Sequence, residues 1–211
     1  MGSSAFRNTA LVSVSLPAAK TIGALAFSNC TGLTTVSLPA SLISIYENSF
    51  AGCTSLTNFT VDSANPAYKA EGGKLLSKDG KTLIAYPSAQ GPVTLNDITT
   101  IGGSAFYLCP ALTSVTLPET TSIGSNAFWH TGNKALTITL GDTAPTLGVS
   151  LFFGVTTKIV TIKRPSGAAA LYGSAPANTT DDTWGGGWNG SAMTDSSGVN
   201  GNINLSFENT P

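Results

Sequence analysis

Three cysteines, one histidine, an adjacent pair of aspartates and a nearby pair of tryptophans carry most of the side-chain chemistry in this chain. His130, in AFWHTGNK, has no serine or cysteine nucleophile motif beside it. Acyl-transfer chemistry needs a nucleophile, a base and an orienting group that converge, so no catalytic residues are assigned and no enzyme activity is expected. Asp181 and Asp182 are neighbours in a loop-like stretch. They lack the alternating oxygen ligands of a calcium loop and read as solvated turn residues. Trp184 and Trp188, in DDTWGGGWNG, have the spacing of an aromatic platform for a sugar ring, although packing onto a capping surface is the preferred reading. Cys30, Cys53 and Cys109 have no second ligand type near them in sequence, so neither a metal nor a cofactor is expected.

Composition narrows the partners. The 211 residues are rich in Gly, Ser, Thr and Asn, and only 10% are charged. A net charge of -1 with scattered Lys and Arg gives no basic stripe for a phosphate backbone or an anionic lipid, which argues against nucleic acid and membrane. No apolar run approaches the roughly 20 residues of a membrane span. MGSSAFRNTA lacks the charged and apolar regions of a signal peptide, so any export signal is expected outside this segment.

What positions these residues is a repeat. IGALAFSNCTGLTTVSLP runs from Ile22 to Pro39 and IGGSAFYLCPALTSVTLP from Ile101 to Pro118, with Ile, Gly, Ala, Phe, Cys, Leu, Val, Leu and Pro in the same places. GSSAFRNTALVSVSLP (Gly2 to Pro17), ISIYENSFAGCTSLTNFTV from Ile45, and IGSNAFWHTGNKALTITL from Ile123 are variants of it. Within a unit the apolar spacing is three from Phe27 through Cys30 and Leu33 to Val36, then two from Val36 to Leu38. Spacing of three suits a helical or 3₁₀ turn, and spacing of two suits a strand that buries Val36 and Leu38 and exposes Thr35 and Ser37. Pro39, with no N–H to donate, ends that strand, and Gly23 is expected to supply the backbone angles of a tight corner. One such coil cannot bury its own Phe and Leu. Stacked coils place Phe6, Phe27, Phe50, Phe106 and Phe128 in one apolar spine and the three cysteines in a ladder of small buried thiols, with a Cys30–Cys53 disulfide left open.

These residues resemble the BspA-like leucine-rich repeats of bacterial surface proteins, whose unit reads approximately I-G-x-x-A-F-x-x-C-x-x-L-x-x-V-x-L-P. The resemblance covers roughly residues 1 to 165 and implies a leucine-rich-repeat solenoid: a right-handed superhelix, formally α/β but β-rich, with short helical or 3₁₀ turns and a parallel strand ladder. It also implies a secreted or surface-attached protein, since several such relatives are described as adhesins.

Between Val61 and Ile101 the period stretches. Leu75-Leu76 and Leu83-Ile84 flanking Asp79-Gly80 predict an inserted hairpin at about 62–90, with both turn residues at positive φ; BspA-like relatives carry a similar insertion. Val93 and Leu95 then restore the ladder. Phe152-Phe153 and KIVTIKRP offer a last spine residue and strand before an irregular cap over 166–211, anchored by Tyr172 and the tryptophans, in which Ile203, Leu205 and Phe207 alternate as a covering strand or the opening of another domain. Met1 stands where a unit places Ile, so a longer natural protein is expected.

The most systematic surface is the wet side of the strands: Ser13, Ser15, Thr35, Ser37, Asn58, Thr60, Ser114, Thr116, Thr137 and Thr139. Stacking puts them in adjacent rows suited to hydrogen-bonding a peptide or glycan, although Thr also favours strands for its own reasons. The functional expectation is a monomeric extracellular module that binds a protein or glycan at this face. A passive spacer is the alternative, and a hydrolase with an unrecognised site is a remote one.

Overall fold

A unit whose apolar spacing changes partway must turn back on itself, and the computed structural model, which describes residues 1–131, 135–148, 151, 159–165 and 204–210, is the resulting coil. The first coils contribute β1 (Ser13–Ser15), β2 (Thr21–Ile22), β3 (Thr35–Leu38), β4 (Ser44–Ile45) and β5 (Asn58–Val61). The insertion supplies β6 (Tyr68–Glu71), β7 (Lys74–Ser77) and β8 (Thr82–Ala85). Then come β9 (Val93–Thr94), β10 (Thr100–Ile101), β11 (Ser114–Leu117), β12 (Ser122–Ile123), β13 (Ala135–Leu140), β14 (Thr146–Leu147), β15 (Ile159–Pro165) and β16 (Asn204–Thr210). Strands β3 and β11 stop one residue before Pro39 and Pro118, as a residue without an N–H requires. Longer strands pair in parallel along one face, as β1-β3-β5 and as β9-β11-β13-β15-β16; short strands pair along another, as β2-β4 and as β8-β10-β12-β14. The C-terminal β16 is thus the last rung of a ladder, parallel to β15.

The spacing-of-three segment forms no helix. It keeps the i→i+3 bonds of a 3₁₀ turn, such as Ala26 N–H to Gly23 O at 3.2 Å and Ser28 N–H to Leu25 O at 3.0 Å, but left-handed residues interrupt the run. They fall at the fourth and eighth positions of the unit: Ser4 and Asn8, Leu25 and Asn29, Asn48 and Gly52, Ser104 and Leu108, Asn126 and His130. The outcome is a ribbon of tandem turns in which alternate N–H groups bond within the coil and the others bond to the next coil, as Leu25, Phe27 and Asn29 do to Glu47, Ser49 and Ala51. Every second peptide group is therefore free to stitch coils together, which a regular helix would forbid.

Gly23 corrects an expectation. Its φ is not positive; a Cβ there would lie 2.5 Å from Ser3 N in the preceding coil, and one on Gly124 would lie 2.6 Å from Gly103 N. Close approach of two backbones demands the glycine, and corner angles do not.

The insertion departs further. The two-residue turn with both φ angles positive is Gly72-Gly73, which joins β6 to β7 in a pairing not anticipated. At the expected site only Gly80 has positive φ, and Asp79 closes a longer loop by accepting from Lys81 N–H at 2.9 Å and from the Ser77 hydroxyl. Strand β8 belongs at once to this antiparallel set and to the parallel solenoid ladder, through β10. Neither ladder crosses the insertion unbroken: β5 does not pair with β9, nor β4 with β8. The cause is the short coil from Leu83 to Leu95, which has too few residues for a full ribbon. The insertion covers the exposed edge instead, with Phe59 N–H donating to Gly73 O at 2.9 Å and the Gln90 amide to Thr57 O at 2.8 Å.

The spine breaks at the same place. Phe6, Phe27 and Phe50 stack at 5.4 and 5.5 Å, and Phe106 and Phe128 at 5.1 Å; between them Phe50 turns to an edge contact with Phe59, and Tyr86 packs on Phe106. Two hydrophobic cores result. Leu75 is fully buried in the first and Leu76 is buried in the second, so the period-two alternation of β7 fastens one core to the other.

Candidate functional site

Alternation along each strand determines which side chains reach solvent. Val36, Leu38 and Phe59 are buried, so their neighbours face outward. Registers align Ser13 with Thr35 and Asn58 in one row, and Ser15 with Ser37 and Thr60 in the next. All but the half-buried Asn58 are exposed. Ser37 and Thr60 hydroxyls are 2.8 Å apart and bonded, which holds them at one spacing while each keeps further hydrogen-bonding capacity. Below this row the strand ends form an open groove of about 350 Å³, bordered by Ser15, Ser37, Thr60, Pro17, Pro39 and Asp62.

The other predicted positions lie on the second ladder. Ser114 and Thr137 align with Thr161, and Thr94, Thr116 and Thr139 lead to Lys163. Ser114, Thr116, Thr137 and Thr139 are all half-buried. The rows expected to be continuous are therefore divided between two sheets, parted where β5 and β9 do not pair. Trp184 and Trp188 lie outside the described residues, as do Phe152, Phe153, Tyr172, Asp181, Asp182 and Ile203.

The cysteines are free and buried. Instead of joining each other, the Cys30 thiol donates to Phe6 O at 3.0 Å and the Cys53 thiol to Phe27 O at 3.1 Å, and Thr131 does the same to Phe106 O. The ninth position of the unit is thus a small donor that ties its coil to the one before. Burial, and the neighbouring Cys30, push the Cys53 thiol up to about 12. Cys109 follows the short coil, and its thiol donates instead to Tyr107 O of its own coil at 3.9 Å. Burial pushes its thiol up to about 12, against a lowering contribution from the Ser88 hydroxyl.

Sequence reasoning missed two features. Lys69, Lys74 and Lys81 gather with Glu71, Asp79 and Asp97 around a polar cleft of about 470 Å³ beside the insertion, three cations balanced by three anions; Lys69 and Glu71 pair at 3.3 Å. No signal short of the β6–β7 pairing could have found it. Asn65, in DSANPAY, is fully buried: its amide donates to Pro39 O at 2.7 Å and Leu42 O at 2.9 Å, and its carbonyl accepts from Ala67 and Tyr68 N–H. An Asn before Pro was a legible turn signal. His130 is exposed, with Tyr107 and Trp129 as ring neighbours at 6.5 and 6.2 Å.

A family model described as a BspA type leucine-rich-repeat region matches in six copies over residues 1–69 and 90–180. Among solved structures, a leucine-rich repeat protein from Eubacterium ventriosum is 25% identical with a TM-score of 0.58, over 78% of this chain and 52% of that one. A leucine-rich cell surface protein from Faecalibacterium prausnitzii is 21% identical with a TM-score of 0.53, over 77% of this chain and 56% of that one. The chain spans about half the length of these solved relatives. No curated protein matches it.

Proposed function

Because the chain belongs to the BspA-type leucine-rich-repeat family, we propose that it is a non-catalytic binding module of a bacterial surface or secreted protein, and that its working surface is the hydroxyl face of β1, β3 and β5. The carrying observation is the pair of aligned rows Ser13-Thr35-Asn58 and Ser15-Ser37-Thr60, with the groove at their foot. Uncharged side chains that both donate and accept suit a peptide or glycan ligand, and the low charge of the chain suits neither nucleic acid nor an anionic membrane. A repeat characteristic of bacterial surface proteins supports the location.

The test is a screen of the folded chain against immobilised extracellular-matrix proteins and a glycan array, repeated with Thr35→Lys and Thr60→Lys together. Saturable binding that the double variant abolishes supports the face. A blank from folded protein overturns it in favour of a spacer. Binding lost only when Thr116 and Thr139 become Lys would move the site to the second ladder.

A further inference from the structure

The second position of the unit is glycine at Gly23, Gly102 and Gly124 but tyrosine at Tyr46. The core does not account for that side chain, which is 59% exposed. Tyr46 stands on one wall of a cleft of about 160 Å³ that opens between the coil of Ile45–Ala51 and the coil of Gly102–Tyr107, beside the short coil. The floor of the cleft is closed. Phe50 and Tyr86 are both buried there, Tyr86 packs on Phe106, and the Tyr86 N–H bonds Ala105 O at 2.8 Å, so nothing enters between those two rings. The walls are what a ligand meets: Tyr46, Glu47 and Asn48 on one side, Gly103, Ser104 and Tyr107 on the other. Tyr46, Glu47 and Gly103 are exposed, and the remaining three are half-buried.

Size limits the occupant. A cavity of ~150 Å³ holds one six-membered ring, which leaves no space here for a peptide or for a second ring. Chemistry then narrows the kind of ring. An aromatic face carries negative charge density and attracts the weakly positive C–H groups on the apolar face of a sugar. Among the described residues the side chains of Glu47, Asn48 and Ser104 make no hydrogen bond. A carboxylate can accept from two neighbouring hydroxyls at once, and the amide and hydroxyl can each donate and accept. A hydrocarbon ring would strip water from these groups and return nothing. Glu47 is the one charged residue of the lining; Arg7, close enough to Tyr107 to favour its ionised hydroxyl, is not part of it. A sugar carrying its own carboxylate would therefore be repelled. We propose that this cleft is a second binding site, distinct from the strand face, that takes a single neutral pyranose at the end of a glycan. The ring lays its apolar face on Tyr46, and two adjacent hydroxyls donate to the Glu47 carboxylate.

The probes are the methyl pyranosides of glucose, galactose, mannose and N-acetylglucosamine, each titrated into the isotopically labelled chain at millimolar concentration. At least one is expected to shift the amides of Glu47, Asn48 and Ser104 saturably, leaving Thr35 and Thr60 unmoved. Tyr46→Gly installs the residue that the other units carry at this position, so the fold is kept, and it is expected to weaken binding about 10-fold, as is Glu47→Ala. The methyl uronide with the same hydroxyl configuration is expected to bind at least about 10-fold more weakly than the neutral sugar. An absence of shifts with all four sugars, or shifts confined to Thr35 and Thr60, would overturn the proposal. So would equal shifts from cyclohexanol, equal binding by the uronide, or undiminished binding by Tyr46→Gly. Because the cleft amides and the strand amides are read separately in one spectrum, this site and the strand face stand or fall independently.

Discussion

Asn65 fills every hydrogen-bonding site of its side chain inside the protein, bridging the end of one coil to the start of the insertion. Asn65→Ala leaves two carbonyls and two N–H groups short of a partner at a buried site, and a loss of about 3 kcal/mol in urea unfolding is expected. The thiols give a second residue-scale expectation. Burial raises Cys53 and Cys109 from 9.0 to about 12, so between those values the unfolded chain binds fewer protons than the folded one. Stability is then fully present below pH 9 and falls as pH rises toward 12. Cys53→Thr, which keeps a donor for Phe27 O as Thr131 does for Phe106 O, is expected to flatten that fall in alkaline thermal melts and to cost little at neutral pH. The residue types at these positions were plain in the sequence. Their partners were not, because those of Asn65 and Cys53 lie in other coils, while Cys109 turns to its own coil under the same motif.

At the scale of the element, the ribbon works because its coils sit closer than ordinary side chains permit. Gly124→Ala would put a methyl 2.6 Å from the Gly103 nitrogen, with backbone on both sides unable to yield, and is expected to cost about 1–3 kcal/mol. Gly103→Ala is the control: exposed, with a nearest neighbour at 3.4 Å, it is expected to stay within about 0.5 kcal/mol of the parent in the same assay. The spacing of three located this element correctly but suggested a helical turn, since i→i+3 bonding is common to both. The left-handed fourth and eighth residues distinguish them. Asn8, Asn29, Asn48 and Asn126 hinted at those positions, while Leu25 and Leu108 obscured the hint, because Leu adopts positive φ only when neighbouring coils enforce it.

At the scale of the molecule, two cores joined through β7 replace the single spine. Solenoid stability is close to a sum of coil and neighbour terms, so a cavity in one core should be felt there first. Phe27→Ala is expected to cost about 3–5 kcal/mol. It should speed amide exchange in β2, β3 and β5 well before β11 and β12; uniform acceleration in both blocks would show that β7 couples them into one unit.

The repeat, its strands, their buried and wet faces and the approximate place of the insertion were all determined by the sequence alone. They follow from local periodicity and from residues such as Pro39 whose constraints hold in any surroundings. Only the tertiary structure decided that the ladders break beside the insertion and that the hydroxyl rows of Thr35 and Thr116 lie on separate sheets. Each depends on how many residues a coil has available to span a fixed circumference relative to its neighbours. That is a property of stacked coils together, and no single unit records it.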